Sequence, residues 1–291
     1  MADYHSLFKT KKQIMIKIIF RLGLYSLFFC LVSCSQQSRS TDPIPTHKIF
    51  EIKSNILGET RVITVWTPPN YDTSEKSYPV LYMLDGGINE DFPHIANTIS
   101  GLVEQGKIAP LLIVGIKNTE RRRDLTGASD IKSDAKIAPI SDGASQFRNF
   151  INTELFSEVS KYYRVNDKRA IVGESVAGLF IVETLLLEPE MFDIYIAMDP
   201  SLWWNNSNLV RNASRQLKLM PKQPVRFWFA GSDAEDIFQY TEQLSEILDS
   251  NAPENLEWTY LPQPEEHHHT IFRATKESAF NWGLWKNKSM H

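Results

Sequence analysis

The chain has 291 residues, 42% of them apolar and 11% aromatic, with 15 prolines and 13 glycines. That composition excludes a disordered tail, a collagen-like fibre and a small disulfide scaffold. Its 31 basic and 35 acidic side chains leave a net charge of −4, so there is no basic excess to hold a phosphate backbone, and nucleic acid is not an expected partner.

The N-terminal stretch reads as an address. Residues 1–21 carry Lys9, Lys11, Lys12, Lys17 and Arg21 against Asp3 alone, and the eleven-residue apolar run Leu22 to Val32 follows. A charged segment before a short apolar one is the pattern of a secretory signal. The run is well below the roughly 20 residues of a membrane-spanning helix. It ends in Leu31-Val32-Ser33-Cys34, which resembles a bacterial lipobox. The resemblance implies cleavage before Cys34, lipid on that cysteine and attachment to a membrane through the lipid. With Ser35 next, it implies the outer membrane of a bacterial envelope. An ordinary signal peptide that contains a cysteine is the alternative reading, and Met15 is an alternative start. Residues 35–46 are polar with two prolines and read as a tether. The expected organisation is therefore a signal over 1–33, a lipidated tether over 34–46 and one folded domain over 47–291. Cys30 and Cys34 are the two cysteines of the chain, so the folded body has no disulfide, no thiolate metal site and no cysteine nucleophile.

From residue 48 strands and helices alternate. The strand candidates are Lys48–Lys53, Arg61–Thr67, Tyr78–Leu84, Leu111–Ile116, Arg169–Gly173, Ile194–Met198, Val225–Ala230 and Leu256–Leu261. The first two alternate apolar and polar residues and are joined through Leu57-Gly58-Glu59, as an edge hairpin would be. VLYML, LLIVGI, AIVG and IYIAM are continuously apolar, which suits parallel strands covered on both faces. The spacing predicts helices over Ala144–Tyr163, Val176–Leu187, Ile237–Leu248 and Ile271–Asn281. Glu188-Pro189 ends the second of these. The expectation is one α/β domain with a mostly parallel eight-stranded sheet, an antiparallel N-terminal hairpin and helices on both faces.

The strongest local signal is Val172-Gly173-Glu174-Ser175-Val176-Ala177-Gly178, between an apolar strand and an apolar helix. In such an elbow a serine stands on a strained corner with its hydroxyl exposed, and small neighbours let strand and helix approach. Ala177 stands where glycine is usual. Serine needs a base, because its hydroxyl is barely ionised at neutral pH. Glu265-Glu266-His267-His268-His269-Thr270 follows the last strand candidate, and Gly231-Ser232-Asp233-Ala234-Glu235-Asp236 follows VRFWFA. Acid and base both stand past the carboxyl ends of strands, where such sites form. Three adjacent histidines cannot face one point, so a zinc site is not expected.

Further segments carry a resemblance. They are Tyr78-Pro79-Val80-Leu81-Tyr82-Met83-Leu84-Asp85-Gly86, Ile108-Ala109-Pro110 with Ile113-Val114-Gly115-Ile116 and Asn118, Arg121-Arg122-Arg123-Asp124-Leu125-Thr126, Tyr163-Arg164 with Arg169, and Pro200-Ser201-Leu202-Trp203-Trp204. With the elbow, they make residues 48–285 resemble the Putative-esterase family of α/β-hydrolases. That family includes enterochelin esterases, esterase D-type thioesterases, feruloyl esterases and mycolyltransferases. The resemblance implies an α/β-hydrolase fold, no cofactor and a small-molecule or glycan ester as substrate. It places the nucleophile at Ser175 and the base at His268, with His267 as second choice. For the acid it favours Glu235, then Asp233, then Asp236. It places the oxyanion donors at the amides of Val176 and Gly87. Arg121 and Asp124 are expected to pair and shape the rim, or to touch substrate. Trp203 and Trp204 are candidates for an acyl or sugar platform and for core packing. His94 is expected to cap or pack a helix. The expected activity is ester hydrolysis through an acyl-enzyme. The alternatives are a surface binding protein on an inactive hydrolase scaffold, suggested by Ala177 and the displaced acid, and an acyltransferase that uses the same residues.

Overall fold

The continuously apolar runs become the inner strands of one sheet. The structure, a computed structural model, describes residues 42–286; the expected signal, Cys34 and most of the tether lie outside them. The strands are β1 (Lys48–Lys53), β2 (Thr60–Trp66), β3 (Tyr78–Met83), β4 (Leu112–Ile116), β5 (Val165–Glu174), β6 (Ile194–Met198), β7 (Val225–Gly231) and β8 (Leu256–Pro262). Their spatial order is β1-β2-β4-β3-β5-β6-β7-β8. β1 pairs antiparallel with β2, and β2 antiparallel with β4; every other pairing is parallel. The expected fold class is the observed one, with the hairpin at one edge.

Each inner strand feeds two cores, because successive side chains point to opposite faces. Val80, Tyr82 and Leu84 join one apolar layer and Leu81 and Met83 the other. The first layer is covered by α3 (Gly143–Phe150), α4 (Phe156–Tyr162), α5 (Val176–Leu187) and α6 (Trp204–Leu217). The second is covered by α1 (Phe92–Glu104) and α8 (Ile271–Gly283). The short α2 (Arg121–Leu125) follows β4, and α7 (Glu235–Asn251) follows β7. Gly86 and Gly115 let the ends of β3 and β4 cross closely. A Cβ at Gly86 would lie 2.3 Å from the Gly115 Cα.

Helices α1 and α2 were not expected, and two further departures from the expected helices have identifiable causes. The helix expected over Ala144–Tyr163 is interrupted by a π-turn over Ile151–Leu155. The wider turn carries Glu154, whose carboxylate accepts from Ser54 Oγ at 2.5 Å and from the Asn55 amide at 2.9 Å, tying the helix to the β1–β2 turn. Helix α6 was not expected, because its sequence WNNSNLVRNASRQL is polar and its apolar spacing is short. It begins with Asn205, Asn206 and Ser207 in left-handed backbone, at φ 50°, 51° and 53°. Asn205 is held there by bonds to Asp134 Oδ2, the Ala128 carbonyl and the Asp130 amide.

Candidate active site

Four parallel strands that lie side by side deliver the site from their carboxyl ends. Strand β5 ends at Glu174, and Ser175 turns the chain into α5 with φ 62° and ψ −120°, a backbone state that costs energy for any residue with a Cβ. The corner is over-determined. The Ser175 amide donates to the Met198 carbonyl at 2.9 Å, and the Ser175 carbonyl accepts from the amides of Leu179 at 2.9 Å and Ser201 at 3.0 Å. The small neighbours divide the space unequally. A Cβ at Gly173 would lie 2.7 Å from the Ala177 Cβ, so alanine at 177 is tolerated because 173 is glycine. A Cβ at Gly178 would lie 3.0 Å from the Met198 carbonyl oxygen and from the Pro200 Cα.

Ser175 Oγ lies 3.0 Å from His268 Nε2, and 3.3 Å from Ser201 Oγ. His268 Nδ1 lies 2.5 Å from Asp199 Oδ2. Asp199 stands directly after β6 at φ 48° and is 0% exposed. Its carboxylate also accepts from the Ser232 amide at 2.6 Å and from Ser232 Oγ at 2.8 Å. A buried carboxylate with three donors has its oxygens satisfied and fixes the ring. The hydrogen bond to Asp199 holds the His268 imidazolium above its ordinary pKa, against the opposing effect of burial, and the fields of Asp199, Glu174 and Asp236 add to the rise. Glu174, beside Ser175, is pushed up to about 8 by burial, and its Oε1 is buried without a hydrogen-bond partner among the described residues.

The expected acids are corrected by this geometry. Glu235 is exposed at the start of α7, and neither it nor Asp233 bonds to His268. Asp233 Oδ2 instead meets His267 Nδ1 at 2.7 Å, because neighbouring side chains diverge and the Asp233 amide is bonded to the Glu266 carbonyl at 2.9 Å. Asp236 lines the cleft but makes no ion pair among the described residues. The signal for Asp199 was present in the sequence: an acid directly after a strand candidate, between Ser175 and His268 in chain order.

The oxyanion loop also differs from expectation. The Gly87 amide donates to Glu90 Oε2 at 2.7 Å, and Glu90 also accepts from the Asn118 amide, so that donor is engaged within its own loop. Val176, at the start of α5, lines the cleft beside Ser175, where a helix N-terminus favours negative charge. Arg121 lines the cleft too, but its partner is Asp85 rather than Asp124. Nε and Nη2 donate to the two Asp85 oxygens at 2.5 and 2.8 Å, and Nη2 donates to the Glu174 carbonyl at 3.2 Å. Asp124 is buried against Arg61 and Arg123 at 2.7 Å each and does not reach the cleft. Trp203 lines the cleft, whereas Trp204 is buried and donates Nε1–H to the Gly127 carbonyl at 3.0 Å. His94 is buried in α1 beside Asp91.

The cleft over Ser175 and His268 has a volume of about 270 Å³. Larger cavities, of about 650 and 960 Å³, are lined by neither residue; the site is located by its chemistry and not by its size. Among the described residues no group of three or more His, Cys, Asp and Glu is arranged to hold a metal ion.

The family model described as Putative esterase matches residues 54–223. Ferri-bacillibactin esterase BesA of Bacillus subtilis is 31% identical over 185 residues, which are 58% of this chain and 63% of that protein. The siderophore triacetylfusarinine C esterase of Aspergillus fumigatus is 27% identical over 183 residues, 59% of this chain and 61% of its own length. The chain thus spans less than two thirds of either relative. Among solved structures, an IroE-like serine hydrolase from Shewanella oneidensis superposes with a TM-score of 0.75 at 25% identity, covering 81% of this chain and 79% of that one.

Proposed function

The chain belongs to the Putative esterase family, and from that premise we propose that it is a serine esterase acting on a small-molecule carboxylic ester. The observation that carries the reading is the Ser175–His268–Asp199 line, with hydrogen-bond distances of 3.0 and 2.5 Å. His268 Nε2 takes the proton from Ser175 Oγ as the oxygen attacks the ester carbonyl. Asp199 holds the ring with Nδ1 protonated and stabilises the imidazolium that forms. The Val176 amide faces the developing oxyanion. His268 then returns its proton to the leaving alcohol. Water, activated by the same imidazole, releases the acyl group from Ser175.

The named relatives act on siderophore esters, and that class heads the substrate panel. The reading as an inactive binding scaffold loses its motive, since Asp199 supplies the acid and Gly173 makes room for Ala177. Acyl transfer uses the same three side chains, and product analysis with added alcohols separates it from hydrolysis.

Ser175→Ala tests the reading. The variant folds as judged by circular dichroism and loses at least about 10³-fold in kcat on 4-nitrophenyl esters. Hydrolysis retained in that variant contradicts it.

A further inference from the structure

Two neighbouring guanidinium groups line the cleft, and they differ in how far their charge is answered. Arg121 gives Nε and Nη2 to Asp85 and to the Glu174 carbonyl. Its Nη1 has no protein acceptor among the described residues. Because Glu174 adjoins the nucleophile, this guanidinium lies one residue from Ser175. Arg122 is exposed and gives Nη1 to the Ile137 carbonyl at 2.8 Å. It makes no ion pair among the described residues, so most of its five N–H donors are free.

The acidic groups nearby act on Arg121 and not through an ion pair on Arg122. The Asp85 carboxylate is taken by Arg121 and by Asn118 Nδ2. The fields of Glu174 and Asp91 fall on Arg121 as well. Asp236 lines the same cleft without a salt bridge to either arginine, and its field acts on His268. Arg122 therefore stands in the cleft as a cation without an ion pair among the described residues, next to an apolar wall of Trp203 and Ile137.

We propose that Arg122, with the free Nη1 of Arg121, forms an anion subsite, so that the cleft selects esters carrying a carboxylate or similar anionic oxygen group on the part that lies against Trp203 and Ile137. The proposal rests on the esterase reading for its placement relative to the scissile bond. A planar guanidinium suits such a group because it offers paired donors at fixed spacing.

The test uses the full chain purified in mild detergent and two esters of equal acyl length, mono-4-nitrophenyl adipate and 4-nitrophenyl hexanoate. The readout is the ratio of their kcat/KM values. Arg122→Gln lowers the adipate-to-hexanoate ratio about fivefold or more, and Arg122→Lys restores most of it. In the unaltered protein the ratio falls as salt rises from about 0.05 to 0.5 M. A ratio unchanged by Arg122→Gln overturns the proposal. Calorimetric titration of Ser175→Ala with both esters gives a second readout that needs no turnover. Adipate binds more tightly, and Arg122→Gln in that background removes the preference. A preference in binding without hydrolysis by the unaltered protein overturns the esterase reading and leaves the subsite standing. Hydrolysis of both esters with neither preference nor Arg122 dependence does the reverse.

Discussion

Asp199 concentrates the electrostatics of the site in one carboxylate. It is sealed from water, bonded twice by Ser232 and once by His268, and it holds the imidazolium above its ordinary pKa of about 6.5. A general base must be neutral, so activity is lost as pH falls through the raised His268 pKa. Asp199→Asn removes the largest cause of the rise and also lets the ring adopt the wrong tautomer. The expected result is a kcat lower by about 10³–10⁴-fold, with the acidic limb of the pH–kcat/KM profile moved to lower pH. A limb that stays in place would show that another group titrates. The pairing of Ser175 with His268 was legible in the sequence because each stands in a distinctive local string past the carboxyl end of a strand. The acid was not, because Asp233 and Glu235 also follow a strand end, and only the tertiary pairing tells which carboxylate the ring meets. Gly87 failed for a similar reason: no local pattern reveals that Glu90 three residues on turns back to take its amide.

At the scale of the element, the elbow is a strand and a helix brought together by exchange of volume. Gly173 and Ala177 share one small space, with 2.7 Å left between a Cβ at 173 and the Ala177 Cβ. Gly173→Ala overpacks it and costs about 1–3 kcal/mol, and adding Ala177→Gly in the same chain recovers most of that loss. Denaturant midpoints of the two variants check this, and an unshifted midpoint for the single variant contradicts it. The buried α1, FPHIANTISGLVE, was not expected because polar residues and a proline break up its apolar positions, whereas the inner strands and the helix α5 were legible because their apolar runs are long and uninterrupted. The π-turn over Ile151–Leu155 and the left-handed start of α6 were not. Each is set by a distant partner, the Ser54–Ile56 turn for Glu154 and the Ala128–Asp134 loop for Asn205.

At the scale of the molecule, the strand order makes the site. β5, β6, β7 and β8 are consecutive in the sheet, and their carboxyl ends present Ser175, Asp199, Ser232 and the loop to His268 in that order. Residues 93 positions apart in the chain thus come within 3.0 Å of each other. The parallel sheet supplies that convergence at one edge, while the two apolar layers keep the strand ends in register.

Reaction with a fluorophosphonate, read by intact-protein and peptide mass spectrometry, tests the proton relay most directly. An activated serine gives one adduct, on the peptide holding Ser175, with no comparable labelling in His268→Gln. A wild-type Ser175 left unmodified, or one labelled equally fast in His268→Gln, contradicts the relay.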